Sequence, residues 1–130
     1  MPKLRLPFPF GATALAMLFA ALMPLTAAQA QDNDTLAKIK ASGAITFGYR
    51  ESSFGFSYLD GNLKPVGYSI EICNRIVEAV KAELKLPAIE IKYQAVTSAN
   101  RMPLVQNGTV DIECGSTTNL VERQKQVAFS

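Results

Sequence analysis

The clearest element in the sequence is a helix over residues 70–84. Its charged residues lie off a stripe of apolar residues that recur every three or four positions. Ser69 precedes the stripe and is predicted to cap the helix N-terminus. Leu86-Pro87 then ends the helical region, since proline restricts the residue before it. The apolar stripe consists of Ile70, Cys73, Ile76, Val77, Val80 and Leu84.

Three further segments have the composition of β-strands. Residues 44–49 are rich in β-branched and aromatic residues, residues 89–96 alternate between apolar and polar, and residues 110–114 form a short apolar run. Shorter helices are predicted between them at 35–41, 97–106 and 119–126, with the second capped by Thr97 or Ser98 and starting late or kinked because it contains Pro103.

The order of these elements indicates the fold class. Helices alternate with strands, which is typical of an α/β fold with a mainly parallel sheet flanked by helices. Residues 50–58 are predicted to be a loop and residues 59–62 a turn. A further extended segment begins at residue 127. Because a whole domain rarely ends at the start of a strand, we expect a truncated chain.

The first thirty residues have the pattern of a secretory signal peptide. Lys3 and Arg5 form a basic start, residues 11–25 are uncharged and mostly apolar, and Ala28-Gln29-Ala30 fits the small-x-small cleavage site. Cleavage is predicted after Ala30. The alternative is a membrane anchor, but the apolar run is short for a span of about 20 residues, and Pro24 interrupts its end.

Removal of this leader changes the charge of the chain. Lys3 and Arg5 are two of the 13 basic residues, and the 11 that remain equal the 11 acidic residues. The mature part is therefore near neutral and has no basic run of the kind that binds nucleic acid. The chain contains no histidine, so a histidine base and zinc binding through imidazole are excluded within it. We expect neither a metal nor a cofactor.

Polar side chains follow each predicted strand at the point where the strand ends. Arg50 follows the first strand, Ser98 the second, and Ser116 and Thr118 the third. In a parallel sheet these junctions share one edge, where α/β folds bind ligands. Arg101 is three residues beyond Ser98 and is predicted to share its helical face. Taken singly, Ser98 is more often just a helix cap, and Thr118 could likewise only cap the helix at Asn119. Arg50 alone is more often a solvated loop charge, and Arg123 could simply lie on the surface of a helix.

The charges in these loops indicate the kind of ligand. A guanidinium in a closed cleft needs an anionic partner, and its planar fork matches a carboxylate. Arg50, Arg101 and Arg123 are the candidate cations, whereas Glu51 is the carboxylate found in these loops. A helix start also favours an anion after Gly115. The pattern therefore predicts a small ligand with more than one negative group.

The chain has two cysteines, Cys73 on the long predicted helix and Cys114 at a strand end. In an exported protein two cysteines can pair, and a bridge here would join helix to sheet. Two buried free thiols are the alternative, and the sequence leaves both open.

Several segments together resemble a known family over residues 35–130. The most specific is Glu113-Cys114-Gly115-Ser116-Thr117-Thr118-Asn119, followed by Val121-Glu122-Arg123-Gln124. Others are Gly48-Tyr49-Arg50-Glu51-Ser52-Ser53, Pro65-Val66-Gly67-Tyr68-Ser69, Thr97-Ser98-Ala99-Asn100-Arg101 and Gln106-Asn107-Gly108-Thr109-Val110-Asp111. The chain is similar to the N-terminal part of periplasmic amino-acid-binding proteins of ABC transporters (solute-binding protein family 3), specifically the glutamate/aspartate-binding subfamily. It departs from many relatives at Gly55, where they have proline.

The resemblance implies a fold, a ligand and a set of contacts. The family fold has two α/β lobes that close on the ligand by a hinge, so residues 31–130 are expected to be part of the N-terminal lobe. Ser116, Thr118 and Arg123 match positions that hold the ligand's α-amino and α-carboxylate groups. The positions that grip the side-chain carboxylate of glutamate or aspartate match Arg50, Ser98 and Arg101, and Ser53 lies in the same loop.

The implied function is capture of an acidic amino acid in the periplasm by a monomer and its delivery to a permease of an ABC transporter in the inner membrane, without enzymatic activity. Three alternatives are a truncated product that does not function, a dehydratase-like enzyme on the same fold, and the sensory input domain of a larger receptor. An enzyme needs a positioned acid or base, and Glu51 is the candidate that these loops supply.

Overall fold

The computed structural model describes residues 34–130, and the predicted signal peptide lies outside them. Helices and strands alternate along most of this part of the chain, as predicted. In chain order the elements are α1 (Thr35–Ser42), β1 (Ala44–Tyr49), β2 (Ser52–Ser53), β3 (Ser57–Leu59), β4 (Pro65–Val66), α2 (Tyr68–Leu84), β5 (Glu90–Ala95), α3 (Arg101–Gln106), β6 (Ile112–Cys114) and α4 (Val121–Gln124).

The three strands predicted from the sequence form one parallel sheet in the order β5-β1-β6. β1 lies at the centre, where Phe47 pairs with Tyr93 of β5 and with Ile112 of β6. Burial on both faces explains its composition, because Ala44, Ile45 and Phe47 are all buried. The expected α/β fold with a parallel sheet is confirmed.

The segment predicted to be a plain loop after β1 contains regular structure. β2, β3 and β4 form a small antiparallel sheet, with Ser52 opposite Tyr58 and Leu59 opposite Pro65. Strands of two and three residues are too short to produce an alternating pattern, which is why the prediction of a loop over residues 50–58 is wrong. The last strand of this small sheet, β4, is followed almost directly by α2.

The start of α2 differs from the prediction. The helix begins at Tyr68 after the N-cap Gly67, so Ser69 is inside the first turn and is not the cap. Gly67 has a φ of 127°, and a Cβ atom there would lie 2.5 Å from the carbonyl oxygen of Phe56. Glycine is therefore needed at this position. The turn that contains Phe56 caps the helix instead, since the backbone N–H of Ser69 donates to the carbonyl oxygen of Phe56.

The two later helices are shorter than predicted. α3 begins at Arg101, beyond the predicted caps Thr97 and Ser98, and Pro103 is its third residue. This late start resolves the conflict with proline, because the first N–H groups of a helix have no partner within it. α4 covers Val121–Gln124, within the range predicted, and follows a β-conformation residue at Leu120.

The core lies between the sheet and the helices α1 and α2. Phe47 on β1 packs with Ile39 of α1 and with Ile70 and Val77 of α2. The apolar stripe that predicted α2 is thus the face that it buries, and each fully buried aliphatic side chain contributes about 1.5–3 kcal/mol. Within residues 34–130 no helix is long and apolar enough to cross a membrane.

Candidate functional site

The candidate ligand site lies at the edge where the three parallel strands end. β1 ends at Tyr49, β5 at Ala95 and β6 at Cys114. The alignment continues past the strands, since Val96 N donates a hydrogen bond of 2.9 Å to the carbonyl oxygen of Tyr49. Parallel strands bring their following loops to a common edge. The predicted ligand residues on the first, second and third loops are therefore neighbours.

The first loop meets the second through Arg50. Its Nη1 atom donates a hydrogen bond of 3.0 Å to the hydroxyl of Ser98. The backbone of Arg50 is fixed by Ser57, whose fully buried hydroxyl accepts from Arg50 N at 2.9 Å and lies 3.3 Å from Arg50 O as a donor. Sequence patterns give no signal for Ser57, because β3 is too short to show a regular pattern and the burial of one serine is not visible in the sequence. Its contacts hold Arg50 at the strand end.

The third loop makes two contacts among the predicted residues. The hydroxyl of Ser116 donates to the hydroxyl of Ser53 at 3.3 Å, which joins this loop to the first. Arg123 Nη1 donates to the backbone carbonyl oxygen of Thr118 at 2.9 Å. The Thr118 carbonyl thus fixes the guanidinium of α4 beside the loop. The structure therefore brings six of the seven predicted ligand residues together as pairs.

The seventh, Arg101, has a different surrounding from the one predicted. Ser98 lies in the turn before α3, so the two residues do not share a helical face. Arg101 is instead 9% exposed, with Nη1 at 4.0 Å from Oε1 of Glu113 on β6. Burial lowers the pKa of the Arg101 guanidinium; the Glu113 carboxylate raises it, and the positive charges of Arg123 and Arg50 lower it further.

Glu113 is a residue of the site that the sequence reasoning missed. It lies within the strand predicted over residues 110–114, whereas the loop pattern indicates Glu51 as the carboxylate of the site. Glu51 is in fact exposed, and the Glu113 carboxylate is largely buried beside Arg101. The signal available was a charged residue in the middle of a short strand next to Cys114 and Gly115.

The loop after β6 is attached to α2 at two points. The hydroxyl of Ser69 donates a hydrogen bond of 2.7 Å to the carbonyl oxygen of Gly115. One turn further along α2, Cys73 forms a disulfide with Cys114, with Cα atoms 6.2 Å apart. The sequence left the state of these cysteines open, and in the structure they are bridged. The bridge joins helix to sheet directly beside Ser116.

Two hollows adjoin this edge of the sheet. The smaller, of about 160 Å³, is lined by Arg50, Glu51 and Thr97 among others. The larger, of about 540 Å³, is lined by apolar and polar residues of α2, α3, β6 and residues 127–130, including Arg101 and Glu113. Of the predicted ligand residues, Arg50 borders the smaller hollow and Arg101 the larger.

The chemistry of the site is that of anion binding. Three arginines offer charged donors, and Ser53, Ser98, Ser116 and Thr118 offer hydroxyl groups. In the described part of the chain, no three His, Cys, Asp or Glu side chains are grouped to hold a metal ion. Guanidinium groups and hydroxyls in this arrangement suit a small molecule with carboxylate groups.

Comparisons with known proteins agree with this chemistry. A profile of bacterial extracellular solute-binding proteins, family 3, matches residues 45–130. The L-glutamate/L-aspartate-binding protein of Pseudomonas aeruginosa is 54% identical over 114 residues, which are 87% of this chain and 38% of that protein. The glutamate/aspartate import solute-binding protein of Escherichia coli is also 54% identical, over 83% of this chain and 38% of its own length.

A solved structure supports the same fold. The solute receptor for L-cysteine of Neisseria gonorrhoeae superposes with a TM-score of 0.63 at 27% identity, covering 73% of this chain and 37% of that one. The chain thus spans less than two fifths of the length of these relatives.

Proposed function

Because the chain belongs to the bacterial extracellular solute-binding proteins of family 3, we propose that it forms part of a receptor for L-glutamate and L-aspartate. The receptor works in the periplasm, after removal of residues 1–30 as a signal peptide, and delivers its ligand to the permease of an ABC transporter. It acts as a monomer and without enzymatic activity. Residues 31–130 contribute part of the first of two lobes, which close on the ligand by a hinge motion.

The observation that carries this proposal is the electrostatic interaction of Arg50, on the loop after β1, with Arg101, at the start of α3. Four hydroxyl side chains lie on the segments around them. Two arginines in this arrangement suit a ligand whose side chain is itself a carboxylate. The two relatives described above support the same ligand, since their names state glutamate and aspartate.

Each end of the ligand has its own group of residues in this proposal. Ser116, Thr118 and Arg123 hold the α-amino and α-carboxylate groups. Arg50, Ser98 and Arg101 hold the side-chain carboxylate, and Ser53 joins the two ends because it lies near Arg50 in the sequence and bonds to Ser116. Each hydrogen bond to a charged group contributes about 1.5–3 kcal/mol. Three or four of them, less the cost of ordering, correspond to micromolar affinity or better, near −8 kcal/mol.

Isothermal titration calorimetry on the protein produced from its intact gene tests the proposal. We expect L-glutamate and L-aspartate to bind, and L-glutamine, which differs from glutamate by an uncharged amide, to bind at least about tenfold more weakly. Glutamine binding as tight as glutamate binding would contradict the roles of Arg50 and Arg101. Absence of binding by all three amino acids would contradict the proposed function itself.

A further inference from the structure

Glu113 is a buried carboxylate among the arginines of the site, and the proposed contacts with the ligand do not use it. Its side chain is 14% exposed, and that of Arg101 is 10% exposed. Their closest atoms are 4.0 Å apart, which is an ion pair but too long for a hydrogen bond. Oε1 of Glu113 is buried and has no hydrogen-bond partner within the described residues. Burying an oxygen that accepts no hydrogen bond lowers the stability of the fold, so the presence of Glu113 here needs a reason.

Gly115 makes room for this carboxylate. A Cβ atom at position 115 would clash with Oε1 of Glu113 and would lie 2.9 Å from Cγ of Arg50. The Glu113 carboxylate and the Arg50 side chain therefore crowd the same point of the backbone. Glu113 lies close to both arginines that are assigned to the ligand's side-chain carboxylate, Arg50 after β1 and Arg101 at the start of α3.

The charges can be counted at the end of the site that is assigned to the ligand's side chain. Arg101 interacts electrostatically with Arg50, Arg123 and Glu113. Arg50, Arg101 and Glu113 leave one net positive charge at this end, while Arg123 is assigned to the ligand's α-carboxylate. Glu51, next to Arg50, is exposed, so solvent and salt screen its charge. The side chain of glutamate or aspartate carries one negative charge, which this remainder matches.

We propose that Glu113 is a specificity-determining residue that sets the charge of the site to suit a ligand with a singly charged side chain. The inference rests on the proposed function and deepens it. Glu113 neutralises one of the two arginines at the side-chain end in advance. A ligand with a doubly charged side chain, such as a phosphate ester, then meets one negative charge too many. Without Glu113 the charges of both arginines are uncompensated, and the preference shifts toward the more anionic ligand.

The test compares L-glutamate with O-phospho-L-serine by calorimetry at pH 8, where the phosphate is doubly ionised because its second pKa is about 6. The protein is again that produced from its intact gene. The wild-type protein is expected to prefer glutamate. We expect Glu113→Gln, which keeps the shape and removes the charge, to shift the ratio of the two affinities toward phosphoserine by about tenfold or more. A ratio cancels any loss of folding that affects both ligands equally.

Two further variants complete the design. Glu113→Asp keeps the charge and is expected to restore the wild-type ratio. Gly115→Ala places a methyl group where the carboxylate lies, so it is expected to shift the ratio in the same direction as Glu113→Gln, and it serves as the test if that variant does not fold.

The outcomes separate the inference from the proposed function. Glutamate binding with the same ratio in wild type, Glu113→Gln and Gly115→Ala would overturn the role of Glu113 alone. A wild-type protein that binds neither ligand would overturn the proposed function and the inference with it. The inference would be established if the ratio shifts in Glu113→Gln but stays at the wild-type value in Glu113→Asp. A merely structural role of Glu113 would change both affinities together.

Discussion

Nη1 of Arg50 donates a hydrogen bond of 3.0 Å to the hydroxyl of Ser98, and the two residues are separated by 48 positions in the sequence. Each follows a different strand of the parallel sheet, so this bond joins two loops across the site. It also orients the Arg50 guanidinium. In the proposed receptor, such preorganisation would lower the entropic cost of binding, since the side chain has already lost part of its freedom.

This contact leads to the first prediction, which concerns ligand affinity. Replacement of Arg50 by alanine is expected to weaken L-glutamate binding at least tenfold, or about 1.4 kcal/mol, because a charged donor to the ligand is lost. Ser98→Ala is expected to have a smaller effect, since it removes an orienting contact but no charge. Calorimetry gives both affinities.

Arg75→Ala is the matched control for Arg50, because Arg75 is an exposed arginine on α2, away from the strand ends. Its replacement is expected to leave the affinity unchanged. An Arg50→Ala protein that binds glutamate as tightly as the Arg75→Ala protein would exclude Arg50 from the site.

The framework of the fold could be predicted because its elements have long or regular patterns. The stripe that contains Ile70, Cys73 and Val77 is buried in the structure, and all three parallel strands are present close to their predicted positions. β2 and β4 have two residues each, and their pairing depends on partners elsewhere in the chain. No local period can reveal such pairing.

The same distinction applies to the candidate site. Arg50, Ser98 and Ser116 could be placed at one edge because the positions of loops follow from the order of the strands. Glu113 could not, because it lies within a strand, and its importance arises from burial beside Arg101. The predicted common face of Ser98 and Arg101 failed for a related reason. Helix bounds near a proline depend on which N–H groups find partners, and a sequence pattern does not contain that information.

A second prediction concerns the glycine that begins α2. Gly67→Ala is expected to lower the free energy of unfolding by about 3 kcal/mol, because the new methyl group would meet the backbone of Phe56 and the φ of 127° is unfavourable for alanine. Urea denaturation followed by circular dichroism measures the loss. Gly61→Ala is the control, since a Cβ atom at Gly61 has nothing within 4 Å. Equal stability of the two variants would refute the predicted clash.

A third prediction concerns the hydrogen bond between α2 and the loop after β6. Ser69→Ala removes the donor to the carbonyl oxygen of Gly115, which should cost about 1 kcal/mol of unfolding free energy. It should also weaken glutamate binding, because that carbonyl adjoins Ser116. Ser52→Ala is the comparison, since Ser52 is an exposed serine of the small sheet. A Ser69→Ala protein with the stability and affinity of Ser52→Ala would show that the bond contributes nothing.

The last prediction concerns the disulfide between Cys73 and Cys114, which are separated by 41 positions. A bridge stabilises a protein mainly by restricting the unfolded chain, and a loop of this length corresponds to about 4 kcal/mol. Replacement of both cysteines by alanine is expected to lower the free energy of unfolding by about that amount, measured by urea denaturation. Reducing agent should lower the stability of the wild-type protein similarly but leave the double variant unchanged. A wild-type midpoint that is the same with and without reductant would contradict a stabilising bridge. Cys114 immediately precedes the loop that carries Ser116 and Thr118, so we expect the double variant to bind glutamate more weakly even at temperatures where it is fully folded.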